Sequence, residues 1–383
     1  MRPWLLLLPV LFVGCAERAT PPEFTPGEPA VAAPPRTIDQ SLKAAGDYLV
    51  KQQSPDGWWR SDVYAAFKDG KALTPFAVVA LQSANLAPEA RKRGAGLLAK
   101  MARPDGTIDE GEDGIDYPAY TASLSVIALS HPENQEHLKA RDAWVDYLRA
   151  RQLTEPLGWD PEDPQYGGWG YCRVLPRKPE PNRISPPLIE SNLSATLFAL
   201  EALRAAGSVK GDEAALKFVR SCQNPDGGFH FIYDDPVRNK AGSQAGPPIQ
   251  FHSYGSTTAD GLRALTLSAH PLDELAEIPD AQHWLKEHFR PDTHPGIYVP
   301  AHERHRDAVY FYYAASVARA LRGSPAISTP PRWSDDLAKE LLKRQREDGS
   351  WANPVELVRE NDPIVATGHA MIALAQCRAA GAK

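Results

Sequence analysis

One turn signal recurs along this chain and constrains the fold more than any other feature. It reads Gln53-Ser54-Pro55-Asp56-Gly57-Trp58-Trp59, then Gln223-Asn224-Pro225-Asp226-Gly227-Gly228-Phe229, then Gln345-Arg346-Glu347-Asp348-Gly349-Ser350-Trp351. A shorter copy is Arg103-Pro104-Asp105-Gly106. The gaps from Asp105 to Asp226 and from Asp226 to Asp348 are nearly equal, and each is long enough for two repeats. A degenerate copy is therefore expected within each gap. Gln165-Tyr166-Gly167-Gly168-Trp169 fits the first, and Arg290-Pro291-Asp292 with Gly296-Ile297 fits the second.

A second marker agrees with this count. An apolar stretch ending in Ala-Leu follows every turn, at Leu81, Leu129, Leu203, Leu265, Leu321 and Leu374. Upstream of each turn lies an amphipathic stretch such as Leu42 to Gln52 or Glu213 to Cys222. Downstream lies one that is apolar on all sides, such as Phe76 to Leu81 or Ala314 to Leu321. A helix with no polar face must be covered all round, so the second helix of each pair belongs inside and the first outside. Six such pairs predict an all-α fold, a closed (α/α)6 toroid of six helical hairpins.

The Gln-x-x-Asp-Gly-x-Trp turn before an inner helix resembles the repeat of the squalene–hopene and oxidosqualene cyclases. It is also similar to the repeat of the protein prenyltransferase β subunits. Asp-Gly suits a tight reversal, and the Gln and Trp side chains suit contacts with a neighbouring helix. The resemblance runs from about Thr37 to Cys377. It is closest to single-toroid bacterial proteins with prenyltransferase and squalene-oxidase repeats, whose Gly-Gly-Trp-Gly-Tyr element is matched at Gly167 to Tyr171. Their acidic-Ser-Asn segment is matched at Glu190-Ser191-Asn192.

The amino terminus resembles a bacterial lipoprotein signal. Met1-Arg2 is its positive end, Trp4 to Val13 an apolar run too short to span a bilayer as a helix, and Gly14-Cys15 the acceptor site, with Phe12 where the pattern usually has Leu. Residues 1–15 are read as the signal, 16–37 as a Pro-rich tether and 38–383 as the toroid. The resemblance implies lipidation of Cys15, a membrane partner through that lipid, and an address in the cell envelope on the periplasmic or outer-membrane side. Three other cysteines, Cys172, Cys222 and Cys377, allow at most one intramolecular disulfide and read best as buried small hydrophobes. With net charge −6 and no basic block, nucleic acid is not an expected partner.

The resemblance places a central cavity at the inner-helix starts, where the two longest loops, Tyr171 to Pro187 and Ile232 to His252, also lie. Insertions on one face of a repeat protein decorate its binding side. Cyclases carry Asp-x-Asp-Asp-Thr-Ala at an inner-helix start to protonate an alkene. Here Tyr254-Gly255-Ser256-Thr257-Thr258-Ala259 keeps Thr-Ala and none of the acids, with Asp260 one turn further in. Zinc prenyltransferases need Asp, Cys and His together, but Tyr310 stands where their His is expected and no Asp-x-Cys occurs. No metal or other cofactor is expected, although His252, His305, Asp307 and His369 form an alternative set of ligands.

These absences favour binding of an apolar, isoprenoid-like molecule and leave catalysis open. Tyr254, Tyr310, Tyr313, His369, Glu190 and Asn192 are the expected ligand contacts, with Asp307 the candidate acid. Other (α/α)6 toroids are glycosidases or polysaccharide lyases, for which Trp58, Trp59, Trp159, Trp169 and Tyr171 would be platforms and Glu190, Asp307 or Asp362 the acids. A partner-binding scaffold is the third reading. Replacing Cys15 by Ser is expected to move the protein from the membrane to the soluble fraction and to abolish acyl labelling. Unchanged membrane association would refute the lipid anchor.

Overall fold

The computed structural model describes residues 36–208, 212–244, 246–247, 249–268 and 275–382. Cys15, the signal and nearly all of the expected tether lie outside the described residues. Thr37, assigned to the tether by sequence, is the N-cap of the first helix and forms a capping box with Gln40.

Six outer helices carry one apolar stripe each. They are α1 (Ile38–Gln52), α3 (Pro88–Lys100), α5 (Leu138–Arg149), α7 (Glu213–Ser221), α9 (Glu277–His288) and α12 (Trp333–Arg344). In α1 the buried side chains Leu42, Ala45 and Leu49 follow the helical period, while Lys43, Asp47 and Lys51 face water. The inner helices are α2 (Leu73–Ala84), α4 (Pro118–Ser130), α6 (Leu193–Ala205), α8 (Gly255–Ser268), α11 (Tyr310–Gly323) and α13 (Pro363–Ala379). A short α10 (Arg304–Ala308) precedes α11, and strands β1 (Ser243–Gln244) and β2 (Gln250–Phe251) form a small antiparallel pair in the loop before α8.

The ring closes. Each inner helix packs on the next, α2 on α4, α6, α8, α11 and α13 in turn, and α13 returns to α2. Leu81, Leu129, Leu203, Leu265, Leu321 and Leu374 are all buried on these helices. The two ends meet where Arg378 pairs with Asp39 at 2.9 Å.

The turns hold neighbouring hairpins together by one repeated set of bonds. The Gln53 amide donates to the Gly57 carbonyl in its own turn (2.8 Å) and to Ala90 in the first turn of α3 (3.1 Å). Gln223 does the same to Gly227 and Glu277, and Gln345 to Gly349 and Ser41, the last closing the ring. The aromatic residue ending each turn donates its backbone N–H to a threonine in the next inner helix: Trp59 to Thr74, Phe229 to Thr258 and Trp351 to Thr367. The Trp59 and Trp351 indoles each reach back to a carbonyl of their own outer helix, Leu49 and Leu341.

The third hairpin corrects the sequence reading. Gln152, not Gln165, takes the turn position, donating to the Gly167 carbonyl at 3.0 Å and to Asp212, the N-cap of α7. Trp169 then bonds Thr196 and Leu148 as its counterparts do. The long insertion between Gln152 and Gly167 hid this copy. Gln165 instead anchors the buried Ser191.

The turn glycines have two reasons to be glycine. Gly349 has φ +89°, and a Cβ there would lie 2.5 Å from the Ala44 carbonyl of α1; Gly106 has φ +85° but faces open space. Gly106→Ala is therefore expected to cost about 1 kcal/mol through backbone strain alone. Gly349→Ala should cost roughly 3 kcal/mol, because α1 must also move. Denaturant unfolding of the two variants checks the ordering, and equal losses would refute it.

Candidate functional site

Three inner helices carry polar stripes at helical spacing, and the ring brings them together on its axis. Ser194, Phe198 and Glu201 share one face of α6, Asp260 and Arg263 one face of α8, and Tyr312, Ser316 and Arg319 one face of α11. Asp260 is fully buried at the centre. It accepts from the Tyr312 hydroxyl at 2.7 Å, from Ser194 at 3.1 Å and from Ser316. Arg263 lies 3.5 Å from the same carboxylate and, with Arg319, clamps Glu201.

Electrostatics separates the two acids. Burial pushes the Asp260 carboxyl above its usual range, against the opposing pull of Arg263 and the three hydroxyl donors. Burial acts on Glu201 in the same sense, but two guanidinium groups together outweigh it and hold that carboxyl below its usual value. Asp260 is thus the less firmly ionised of the pair.

The remaining axial wall is apolar. Phe76 and Val79 from α2, Leu124 and Ile127 from α4, and His369 and Ile372 from α13 join Phe198 and Tyr312 around a cavity of about 20 Å³, the room of roughly one water. His369 meets Phe76 at a tilt, ring centres 4.7 Å apart, and burial pushes its imidazole down to about 3, so it is neutral at ordinary pH. Above Asp260, Tyr171 stands near Ser194 and meets Tyr117 edge-on at 5.5 Å. Arg359 then covers Tyr117, its guanidinium 4.7 Å from the ring centre. Both contacting residues, Tyr117 (φ +50°) and Arg359 (φ +70°), hold a left-handed backbone that side chains disfavour.

Glu360 is a second buried acid. Its buried carboxylate accepts the N–H groups of Phe311 and Tyr312 at 2.9 and 2.7 Å, so it fixes the first turn of α11 and with it the phase of Tyr312. Burial raises it to about 7 despite those donors and the Asn353 amide.

The sequence-predicted residues are only partly assembled here. His369 lines the cavity, but Tyr310 and Tyr313 do not: their hydroxyls donate to Pro291 and Arg290 in the loop after α9, and Tyr312 takes the axial position. Tyr254 is buried against His294 and Tyr298 in a separate cluster. Asp307 is exposed at the end of α10 and does not line the axial cavity. Glu190 pairs with Arg238 at 3.0 Å, and Asn192 is the N-cap of α6.

The expected metal ligands are also apart in role. His252 bonds the Ile297 carbonyl and His369 lies in the axial wall. No group of three or more His, Cys, Asp or Glu placed to share a metal occurs among the described residues. Cys172, Cys222 and Cys377 are buried and unpaired.

Most of the proposed sugar platforms are core. Trp59 and Trp169 are fully buried and Trp159 donates to Pro176, while Trp58 lines a surface groove of about 210 Å³ with Lys71, Leu97 and Asp109. Asp109 is ion-paired with Arg103 at 2.9 Å. Asp362 caps α13.

The fold is that of the (α/α)6 toroids. A type II terpene cyclase from Scytonema in complex with geranylgeranyl dihydroxybenzoate is similar at TM-score 0.57 and 15% identity, over 90% of this chain and 97% of that one. An unsaturated glucuronyl hydrolase specific for heparin is similar at TM-score 0.56 and 15% identity, over 90% and 97%. An α-1,6-mannanase of Salegentibacter follows at 0.52 and 10%, over 90% and 99%. No family model matches the sequence, and no curated protein does. No helix among the described residues is long and apolar enough to cross a membrane.

Axial Tyr312 was missed because the tyrosines at 310, 312 and 313 look equivalent in sequence, whereas Asp260 is already picked out there one turn beyond the cyclase-like segment. The stripe Tyr312–Ser316–Arg319, read with Asp260–Arg263, was the available signal. Glu360 supplies a test of the axial geometry. Its folded value near 7 lies above the ordinary 4.5, so its contribution is complete below pH 4.5 and is lost as pH rises through 7. Wild type minus Glu360→Gln should therefore lose about 3 kcal/mol of relative stability between pH 4 and 8. Unfolding curves at several pH values check this, and a flat difference would contradict it.

Proposed function

We propose that this toroid binds an apolar, isoprenoid-like molecule along its axis and is held at the cell envelope by a lipid on Cys15. The supporting observation is the axial wall itself: aromatic and aliphatic side chains from inner helices line the cavity together with Ser316, Arg263 and Arg319, and the buried Asp260 carboxyl lies behind Tyr312 and Ser316, whose hydroxyls donate to it. Such a lining favours an apolar body through its area and aromatic faces, with a few polar groups to orient it. A structural neighbour holds geranylgeranyl dihydroxybenzoate as its substrate, a molecule of that class.

Entry of a chain requires side chains such as Phe76, Phe198 and His369 to turn aside, since the present cavity admits about one water. Asp260 is the group best placed to donate a proton if a reaction follows, being buried, raised and on the axis. The carbohydrate reading has less support. Glycoside hydrolysis needs two free carboxyls facing across a cleft, whereas Glu190 and Glu201 are clamped by arginines and Asp362 caps a helix.

Native mass spectrometry after incubation with polyprenols, squalene and soluble polysaccharides tests the reading. An apolar compound should be retained, and Ile127→Trp, which fills the axial wall, should abolish retention without unfolding the ring. Cleavage or retention of sugar with no affinity for any apolar compound would overturn it.

A further inference from the structure

The loop before α8 carries a cation that the fold does not neutralise. Lys240 is half-buried, with its ammonium 4.9 Å over the Phe231 ring, and among the described residues no carboxylate lies within ion-pairing distance of it. Its neighbour Arg238 differs, being paired with both Asp235 and Glu190. The backbone around Lys240 is fixed. Buried Asn239 bonds Phe231, Ile232 and Asp235, and the Ala241 carbonyl accepts from Val299. Tyr254 bonds the Lys240 main chain.

The charged groups facing this amine come from four elements. They are Asp235 and Arg238 on its own loop, Asp260 on α8, His294 and His305 between α9 and α11, and Glu360 before α13. Both histidines are pushed towards neutrality by burial. Burial, with repulsion from Arg238, lowers the Lys240 amine to about 8. A lysine held half-buried over an aromatic face, with no carboxylate within ion-pairing distance, leaves a charge for a bound anion to meet.

We infer that Lys240 receives the anionic head of the axial ligand, so that the ligand is an apolar chain ending in a carboxylate or a phosphate. This rests on the axial-binding reading and specifies it further. The head would sit at Lys240, under the loop at the inner-helix starts, while the chain passes down the apolar wall. An anion at Lys240 would restore its proton, so binding near pH 8 must take up a proton from solution.

Calorimetry with farnesoic acid, farnesyl monophosphate, farnesol and squalene tests this. The acid or the phosphate should bind about tenfold more tightly than the alcohol, as a charge-assisted bond to an amine implies, and the comparison of the two distinguishes the head groups. At pH 8 the heat for the anionic ligand should vary with the ionisation enthalpy of the buffer. Lys240→Met should reduce the anion to the affinity of the alcohol and leave the alcohol unchanged. Lys240→Arg should keep the preference but lose the proton uptake. Binding of all four with no preference for the anion, or a preference that survives in Lys240→Met, overturns the inference while leaving axial binding intact. Failure of all four to bind overturns both.

Discussion

Everything in this ring depends on the bonds made by a turn only a few residues long. A glutamine amide ties the turn to the next outer helix, and an aromatic N–H ties it to a threonine of the next inner helix. Each bond is worth about 1 kcal/mol net. Their value lies in geometry, because they fix the offset between successive hairpins at three places and at the seam, where Gln345 reaches Ser41. A ring closes only if that offset sums to a full circle.

Closure in turn creates the axis and its chemistry. Inner helices that are apolar all round can tolerate polar groups only where those groups satisfy one another, and the Asp260–Tyr312–Ser194–Ser316 set with its arginines does so. Glu360 belongs to the same arrangement from outside, since it holds the start of α11 and so selects which tyrosine turns inward. The strained contact of Arg359 on Tyr117 and the Lys240 loop lie over the inner-helix starts, where the long loops gather. The connectors at the opposite end, such as residues 85–87, are shorter than these loops. The long loops and the strained or unpaired groups are therefore gathered at one end of the barrel.

Likeness to solved structures does not choose among functions, since terpene cyclases and sugar-cleaving enzymes share this ring at similar scores. The choice comes from side chains. Of the carboxyls the sequence offers for acid–base work on a sugar, Glu190 is ion-paired, Asp362 caps a helix and Asp307 is exposed at the end of α10, whereas the axis offers aromatic surface beside the buried Asp260. Lys240 adds a charge that an apolar molecule alone would not need.

The hairpin count, the closed ring and the inside–outside order of the helices were legible in the sequence. They rest on local chemistry: Asp-Gly reversals with a left-handed glycine, and periodic apolar faces that must be covered. Gln152 escaped because an insertion separates it from Gly167, and Gln165 offered a closer match. The site residues escaped for a different reason. Successive residues of a helix point 100° apart, so whether Tyr310, Tyr312 or Tyr313 faces the axis depends on the rotation of α11 about its own axis, which Glu360 sets from a distant part of the chain. Local periodicity determined that there would be a ring of helices; only tertiary contacts decided how far its centre is filled, which side chains occupy it and which charges face it, because helix rotation is fixed by partners remote in sequence.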